Sequence, residues 1–189
     1  MNKTKTKTRT KPKTMTLPIQ LNGKPVEHEA FPGETLLEHL RRTGYLAAKN
    51  GCQDGNCGTC VVEVDGRAVN SCLMLAGQVA DAEVWTCEGI GTPRKPHPIQ
   101  QAFVDMAATQ CGFCTPGLIM STKVLLQEHP DPTMDQIKEY LDGNLCRCTG
   151  YVKIFDAVQR SAAALQEGDS AGTGSGTGSG PGPKKEVTA

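Results

Sequence analysis

Apolar and polar residues alternate from Leu17 to Leu21, with Leu17, Ile19 and Leu21 separated by Pro18 and Gln20, which predicts a half-buried strand. Asn22-Gly23 is a tight hairpin signal, and Val26, His28 and Ala30 carry the alternation back along a second strand. Thr35 to Glu38 reads as a capping box opening a short helix with Leu36, Leu37 and Leu40 inward, stopped at Gly44. Val61, Val62 and Val64, the Asp65-Gly66 turn, and Ala68 and Val69 predict a second hairpin, with a further strand near Glu83 to Thr86. These elements make a small α+β domain.

After residue 98 the period changes from two to 3.6. Ile99, Ala102, Phe103, Met106 and Ala107 share one helical face. Leu118, Thr122 and Leu125 line a second helix that ends at His129-Pro130. Thr133 with Gln136 caps a third, carrying Met134, Ile137 and Leu141, and Tyr151 to Leu165 supplies the stripe of a fourth. Four such helices on short loops predict an all-α four-helix bundle. Gly89 to Pro98, with three prolines and two glycines, reads as the linker. The expected organisation is a disordered basic tail over 1–15, an α+β domain over 16–90, a linker over 91–98, a helical domain over 99–167, and a disordered Gly/Ser/Thr/Pro-rich tail over 168–189.

Charge refines this picture. The net charge of the 189 residues is zero, yet residues 15–167 hold 12 Lys and Arg against 18 Asp and Glu. The basic excess lies in the N-terminal tail, where no aromatic residue interleaves for base stacking, so no nucleic-acid partner is expected. No segment has the apolar length of a membrane span or the apolar run of a signal peptide, which predicts a cytoplasmic protein without membrane insertion.

The chemistry lies in nine cysteines. In a cytoplasmic chain these are expected to be metal ligands rather than disulfides. Cys52, Cys57 and Cys60 have the C-x4-C-x2-C spacing of a plant-type [2Fe-2S] loop, and Gly51, Gly55 and Gly58 allow close backbone approach. Cys72 completes the quartet with only 11 residues between it and Cys60, across a hairpin, which is early for a standalone ferredoxin. Cys111, Cys114, Cys146 and Cys148 form a second quartet, for which spacing alone also allows a zinc site with four thiolate ligands. Gly112 lets the chain turn between Cys111 and Cys114. Thr115 reads as an N-cap before Pro116, starting a helix whose amides would offset thiolate charge. Cys87 has no quartet and is expected to be a buried spare thiol. His28, His39, His97 and His129 lack ligand spacing and are expected at surface or capping positions.

GCQDGNCGTC, QCGFCTPG and GNLCRCTGY together resemble the iron–sulfur subunit of the molybdenum hydroxylases, the xanthine dehydrogenase, aldehyde oxidase and carbon monoxide dehydrogenase family. The resemblance runs from about Leu17 to Leu165. It implies a β-grasp, ferredoxin-like domain with one [2Fe-2S] cluster and a helical domain with a second. It also implies a large partner subunit carrying molybdopterin and a medium partner carrying FAD. Gln110 and Cys148 match positions that touch the pterin in the family, which puts the helical-domain cluster next to molybdenum and the other towards flavin. The implied function is one-electron transfer between those centres. An independent two-cluster carrier and a zinc-stabilised adaptor are the alternatives.

Overall fold

The computed structural model describes residues 13–171. Of the expected tails over 1–15 and 168–189, residues 1–12 and 172–189 lie outside the described residues. β1 (Met15–Leu21) and β2 (Lys24–Ala30) pair antiparallel about Asn22-Gly23, whose φ values of 53° and 75° suit the tight turn. α1 (Leu36–Arg42) has the expected capping box: Thr35 accepts from the Glu38 amide and Glu38 from the Thr35 amide. β3 (Val61–Val64) and β4 (Arg67–Asn70) turn at Asp65-Gly66, and β5 (Glu83–Trp85) inserts between β1 and β3. The resulting order is β2-β1-β5-β3-β4, with β1 and β5 parallel and the other neighbours antiparallel. Leu17, Ile19, Leu21, Val62, Val64 and Val84 form a core with Leu36, Leu37 and Leu40 of α1. Each fully buried leucine there contributes roughly 1.5–3 kcal/mol.

All four residues of β3 are buried, Glu63 among them, because a helix of the second domain covers its other face. That helix is α4 (Thr115–Glu128), and its Lys123 forms an ion pair with Glu63 across the domain boundary. Gln127 Nε2 adds a contact to Glu63 at 3.4 Å. The alternation rule treats β3 as half-exposed, whereas domain docking makes it a fully buried strand.

The linker is shorter than expected. Its first residues belong to α2 (Cys87–Ile90), a single helical turn, leaving Gly91 to His97 before α3 (Pro98–Asp105). α3 ends before its expected stripe does. Ala107 takes φ +52° and is exposed, and Ala108 is buried in its place. α5 (Met134–Leu141) carries the Thr133–Gln136 capping box, and α6 (Val152–Ala171) packs along α3. Ile99, Phe103, Leu118, Leu125, Ile137, Leu141, Ile154 and Val158 form the helical core.

His97 caps α3 and His129 follows the last residue of α4, as expected of capping residues. His39 departs from the expectation, being fully buried. Its Nε2 is 3.1 Å from His28 Nδ1 and its Nδ1 is 3.4 Å from Glu34 Oε2. Arg42 binds both Glu34 oxygens at 2.7 and 2.9 Å, which pulls the Glu34 carboxyl down to about 2 against its burial. Burial lowers the His39 pKa despite Glu34, while burial and Arg42 lower that of His28. Imidazoles with folded pKa values below the unfolded 6.5 give a contribution that is full above pH 6.5 and is lost as pH falls through the folded values. The expected result is a melting temperature that is flat from pH 7 to 8 and drops below pH 6. The slope should approach about 1.4 kcal/mol per pH unit for one histidine. A His39→Gln variant that keeps the wild-type slope would show that this pair does not cause it.

Candidate metal centres

The first quartet sits where two segments meet. The loop from Gly51 to Cys60 supplies three thiols, and Cys72 arrives from the turn after β4. Cys57 interacts with Cys52, and Cys72 with Cys60 and also Cys52, so the four thiols form one connected group. Cys60 and Cys72 are the buried inner pair, whereas Cys52 and Cys57 are half-buried. Burial and the neighbouring Cys60 push the Cys72 thiol up to about 11. Burial opposes ionisation at Cys57 too, but hydrogen bonding from Thr59 and Cys52 brings its pKa below the usual thiol value. Gly51 is required by space, since a Cβ there would lie 2.7 Å from Cys57 Sγ and 2.7 Å from Thr59 Oγ1. Asn70 Nδ2 donates to the Gly55 carbonyl at 3.1 Å and Ser71 Oγ to the Cys60 carbonyl at 2.7 Å, fixing the loop to the second hairpin.

The second quartet joins the start of α4 to the loop between α5 and α6. Cys114 interacts with Cys146, and Cys148 with Cys111. Cys114 is buried, Cys146 half-buried, and Cys111 and Cys148 are exposed with Gln110 beside them. Burial and Cys146 push the Cys114 thiol up to about 12. Burial also disfavours the Cys146 thiolate, yet Thr149 and backbone donors bring its pKa down. α4 begins one residue earlier than the sequence suggests. Cys114 itself is the N-cap, at φ −81° and ψ −19°, and Thr115 is the first helical residue with Pro116 second. Thr115 therefore makes no N-cap hydrogen bond; its hydroxyl lies 3.4 Å from Thr109 Oγ1.

The quartets are coupled through the backbone. The Leu145 amide, next to Cys146, donates to the Cys57 carbonyl at 3.0 Å. Asn144 is buried and works on both sides: its Nδ2 donates to the Gly58 carbonyl at 3.0 Å, and its Oδ1 accepts from Ser121 at 2.8 Å. Asn144, Thr59 and Thr149 escaped the sequence reading, and Tyr151, expected on the stripe of the last helix, stands in the turn before α6. All four lie inside the quoted motifs close to cysteines, a signal that was available. Cys87 lies apart, half-buried in the helical core, with Gln100 Nε2 3.8 Å from its sulfur.

Both donor sets fit a two-iron cluster. Among the described residues no three His, Cys, Asp or Glu side chains close round one ion position. Each quartet is instead one connected group of interacting thiols, and a [2Fe-2S] cluster takes four thiolates shared between its two irons. Gly51 leaves room beside the Cys57 sulfur, whereas Gly55 makes way for Leu73 and Gly58 for the Gly143–Asn144 segment of the helical domain.

Comparison with known proteins agrees. A 2Fe-2S iron-sulfur cluster binding domain family matches residues 19–90, and a [2Fe-2S] binding domain family matches residues 86–159. The nicotinate dehydrogenase small FeS subunit of Eubacterium barkeri is 44% identical over 142 residues, covering 75% of this chain and 90% of that protein. The xanthine dehydrogenase iron-sulfur-binding subunit of Escherichia coli is 46% identical over 140 residues, 73% of this chain and 88% of that one. Among solved structures, a chain of quinoline 2-oxidoreductase from Pseudomonas putida 86 superposes with a TM-score of 0.78 at 38% identity, covering 82% of this chain and 98% of its own length. Two tandem iron–sulfur domains, with the same order and nearly the whole length of such subunits, identify the chain as a member of the iron–sulfur small-subunit family of the molybdenum hydroxylases.

Proposed function

We propose that this chain is the electron-transfer subunit of a molybdenum-dependent hydroxylase complex. Cys52, Cys57, Cys60 and Cys72 hold one [2Fe-2S] cluster, and Cys111, Cys114, Cys146 and Cys148 hold the other. Such clusters supply one-electron chemistry when bound. The protein's part is to fix their separation, exclude water from the inner thiols and tune the sulfurs by hydrogen bonding. Two surface grooves, of about 240 and 300 Å³, are lined without any cysteine, and we assign the substrate pocket to a partner.

The observation that carries the reading is the exposed edge formed by Gln110, Cys111 and Cys148, beside the buried Cys114. A ligand edge open to solvent suits contact with a molybdopterin cofactor on a large partner subunit. Gln110 can donate to and accept from a pterin edge. The first quartet then faces an FAD-carrying medium subunit. No helix among the described residues is long and apolar enough to cross a membrane. A cytoplasmic setting, where thiols stay reduced, suits this ligand set.

Gln110→Ala in the assembled complex tests the orientation. Iron content and reduction by dithionite should be unchanged, while substrate-driven reduction of the helical-domain cluster slows in rapid-mixing absorbance traces. An unchanged substrate-driven rate would remove Gln110 from the cofactor contact and reverse the assignment of the edge.

A further inference from the structure

One threonine hydroxyl lies against a thiol of each quartet, and the two are not equivalent. Thr59 Oγ1 is 3.2 Å from Cys57 Sγ and 3.3 Å from the Lys49 carbonyl oxygen. A hydroxyl has one proton, so Thr59 divides it between sulfur and carbonyl. Thr149 Oγ1 is 3.1 Å from Cys146 Sγ, and its other neighbour is a donor, the Tyr151 amide at 3.3 Å. With that amide occupying a lone pair, the Thr149 proton goes to the sulfur. The Thr149 amide adds a second, longer donor to Cys146 at 3.5 Å.

The turn is built to keep this arrangement. Gly150 and Tyr151 both take positive φ, 66° and 70°, and an aromatic residue occupies that region only when its surroundings hold it there. Tyr151 is held at both ends. Its hydroxyl accepts from the Cys146 amide at 2.8 Å and donates to the Asn144 carbonyl at 3.0 Å, and its ring stacks on Phe155 at 6.0 Å. A strained residue thus clamps the loop that carries Cys146 and supplies the amide that orients Thr149.

We propose that Thr149 is a positioning residue for electron transfer, its hydroxyl donating to the Cys146 thiolate and raising the reduction potential of the helical-domain cluster. This rests on the ligand assignment proposed above. Uptake of one electron with no proton makes the ligated sulfurs more negative. A donor to one of them therefore stabilises the reduced form more than the oxidised form. Thr59, with its proton shared, has the weaker effect on the other cluster, and the asymmetry separates the two potentials.

The test is an anaerobic redox titration of the full-length reconstituted chain, followed by paramagnetic resonance, for wild type, Thr149→Val, Thr149→Ala and Thr149→Ser. Removing the hydroxyl should lower the equilibrium constant for reduction of the helical-domain cluster about tenfold, a shift of about 59 mV to lower potential for one electron. Thr149→Ser should keep the wild-type value, and the ferredoxin-like cluster should stay fixed in all four as the internal reference. Unchanged potentials in the valine and alanine variants at full iron content overturn the proposal and leave the ligand assignment standing. Loss of iron from both those variants with retention in Thr149→Ser also overturns it, by making the hydroxyl a requirement for assembly. A wild-type chain with no second paramagnetic signal would instead overturn the ligand assignment.

Discussion

Replacing Cys114 with serine is expected to abolish the helical-domain cluster, halve the iron of the chain and remove one of its two paramagnetic signals. Cys114 is the buried member of the second quartet, and its thiol pKa of about 12 means that iron must displace a proton there. Binding is then coupled to proton release and to the loop geometry that brings Cys146 alongside. A serine hydroxyl is a harder, less acidic ligand and cannot replace the thiolate in that desolvated position. The first quartet should survive, because its four thiols come from the loop at 51–60 and the turn after β4. Cys87→Ser is the matched control: its thiol touches Gln100 and the helical core, and the variant should keep all the iron and both signals. Iron analysis and low-temperature resonance spectra of the two variants separate the cases. Retention of the second signal in Cys114→Ser, or its loss in Cys87→Ser, would mean that the ligand sets are misassigned.

The local code of this chain is unusually readable, and what it hides is tertiary. Asn22-Gly23, Asp65-Gly66 and the two capping boxes act within four residues, so the hairpins and the starts of α1 and α5 follow directly from sequence. The two quartets are also legible, because chelation imposes spacing on the chain. How Cys72 reaches the 51–60 loop and Cys146 reaches Cys114 is not, since it depends on how loops fold back. His39 looks like an exposed helix residue by type. Glu34 is its neighbour along the chain, but only the fold brings His28 of β2 to it, where a closed hydrogen-bond network makes burial tolerable. Glu63 hides in the same way: alternation would send it to solvent, and Lys123 from the other domain buries it. Asn144 stands in the GNLCRCTGY motif, but only the fold shows that it ties the second cluster loop to the first.

Glycine at 58 and 117 should prove as intolerant of a methyl group as the ligands are of substitution, because the two domains meet there backbone to backbone. A Cβ on Gly117 would lie 2.2 Å from the Gly58 carbonyl oxygen, at the first turn of α4. A Cβ on Gly58 would lie 2.3 Å from the Gly143 carbonyl oxygen and 2.5 Å from Asn144 Nδ2, and Gly58 also needs φ +65°. Neither carbonyl is the end of a flexible side chain, so relief requires the helical domain to move away from the cluster loop. That motion breaks the Asn144 bond to Gly58 and the Leu145 bond to Cys57 together. Overpacking costs about 1–3 kcal/mol and left-handed strain about 1–3 kcal/mol more, so Gly58→Ala should lose roughly 2–6 kcal/mol. At roughly 2–4 °C per kcal/mol for a chain of this size, its melting temperature should fall by roughly 4–24 °C. Gly117→Ala, with the clash but without the strain, should fall by less. Gly66→Ala has φ +77° and nothing within 4 Å of the new methyl, so it isolates the strain alone and should cost only about 1 kcal/mol. Thermal unfolding ranks the three, and amide exchange at Leu145 reports the docking directly. If Gly58→Ala melted like Gly66→Ala with Leu145 still protected, the close approach of the two backbones would not be what holds the clusters in register.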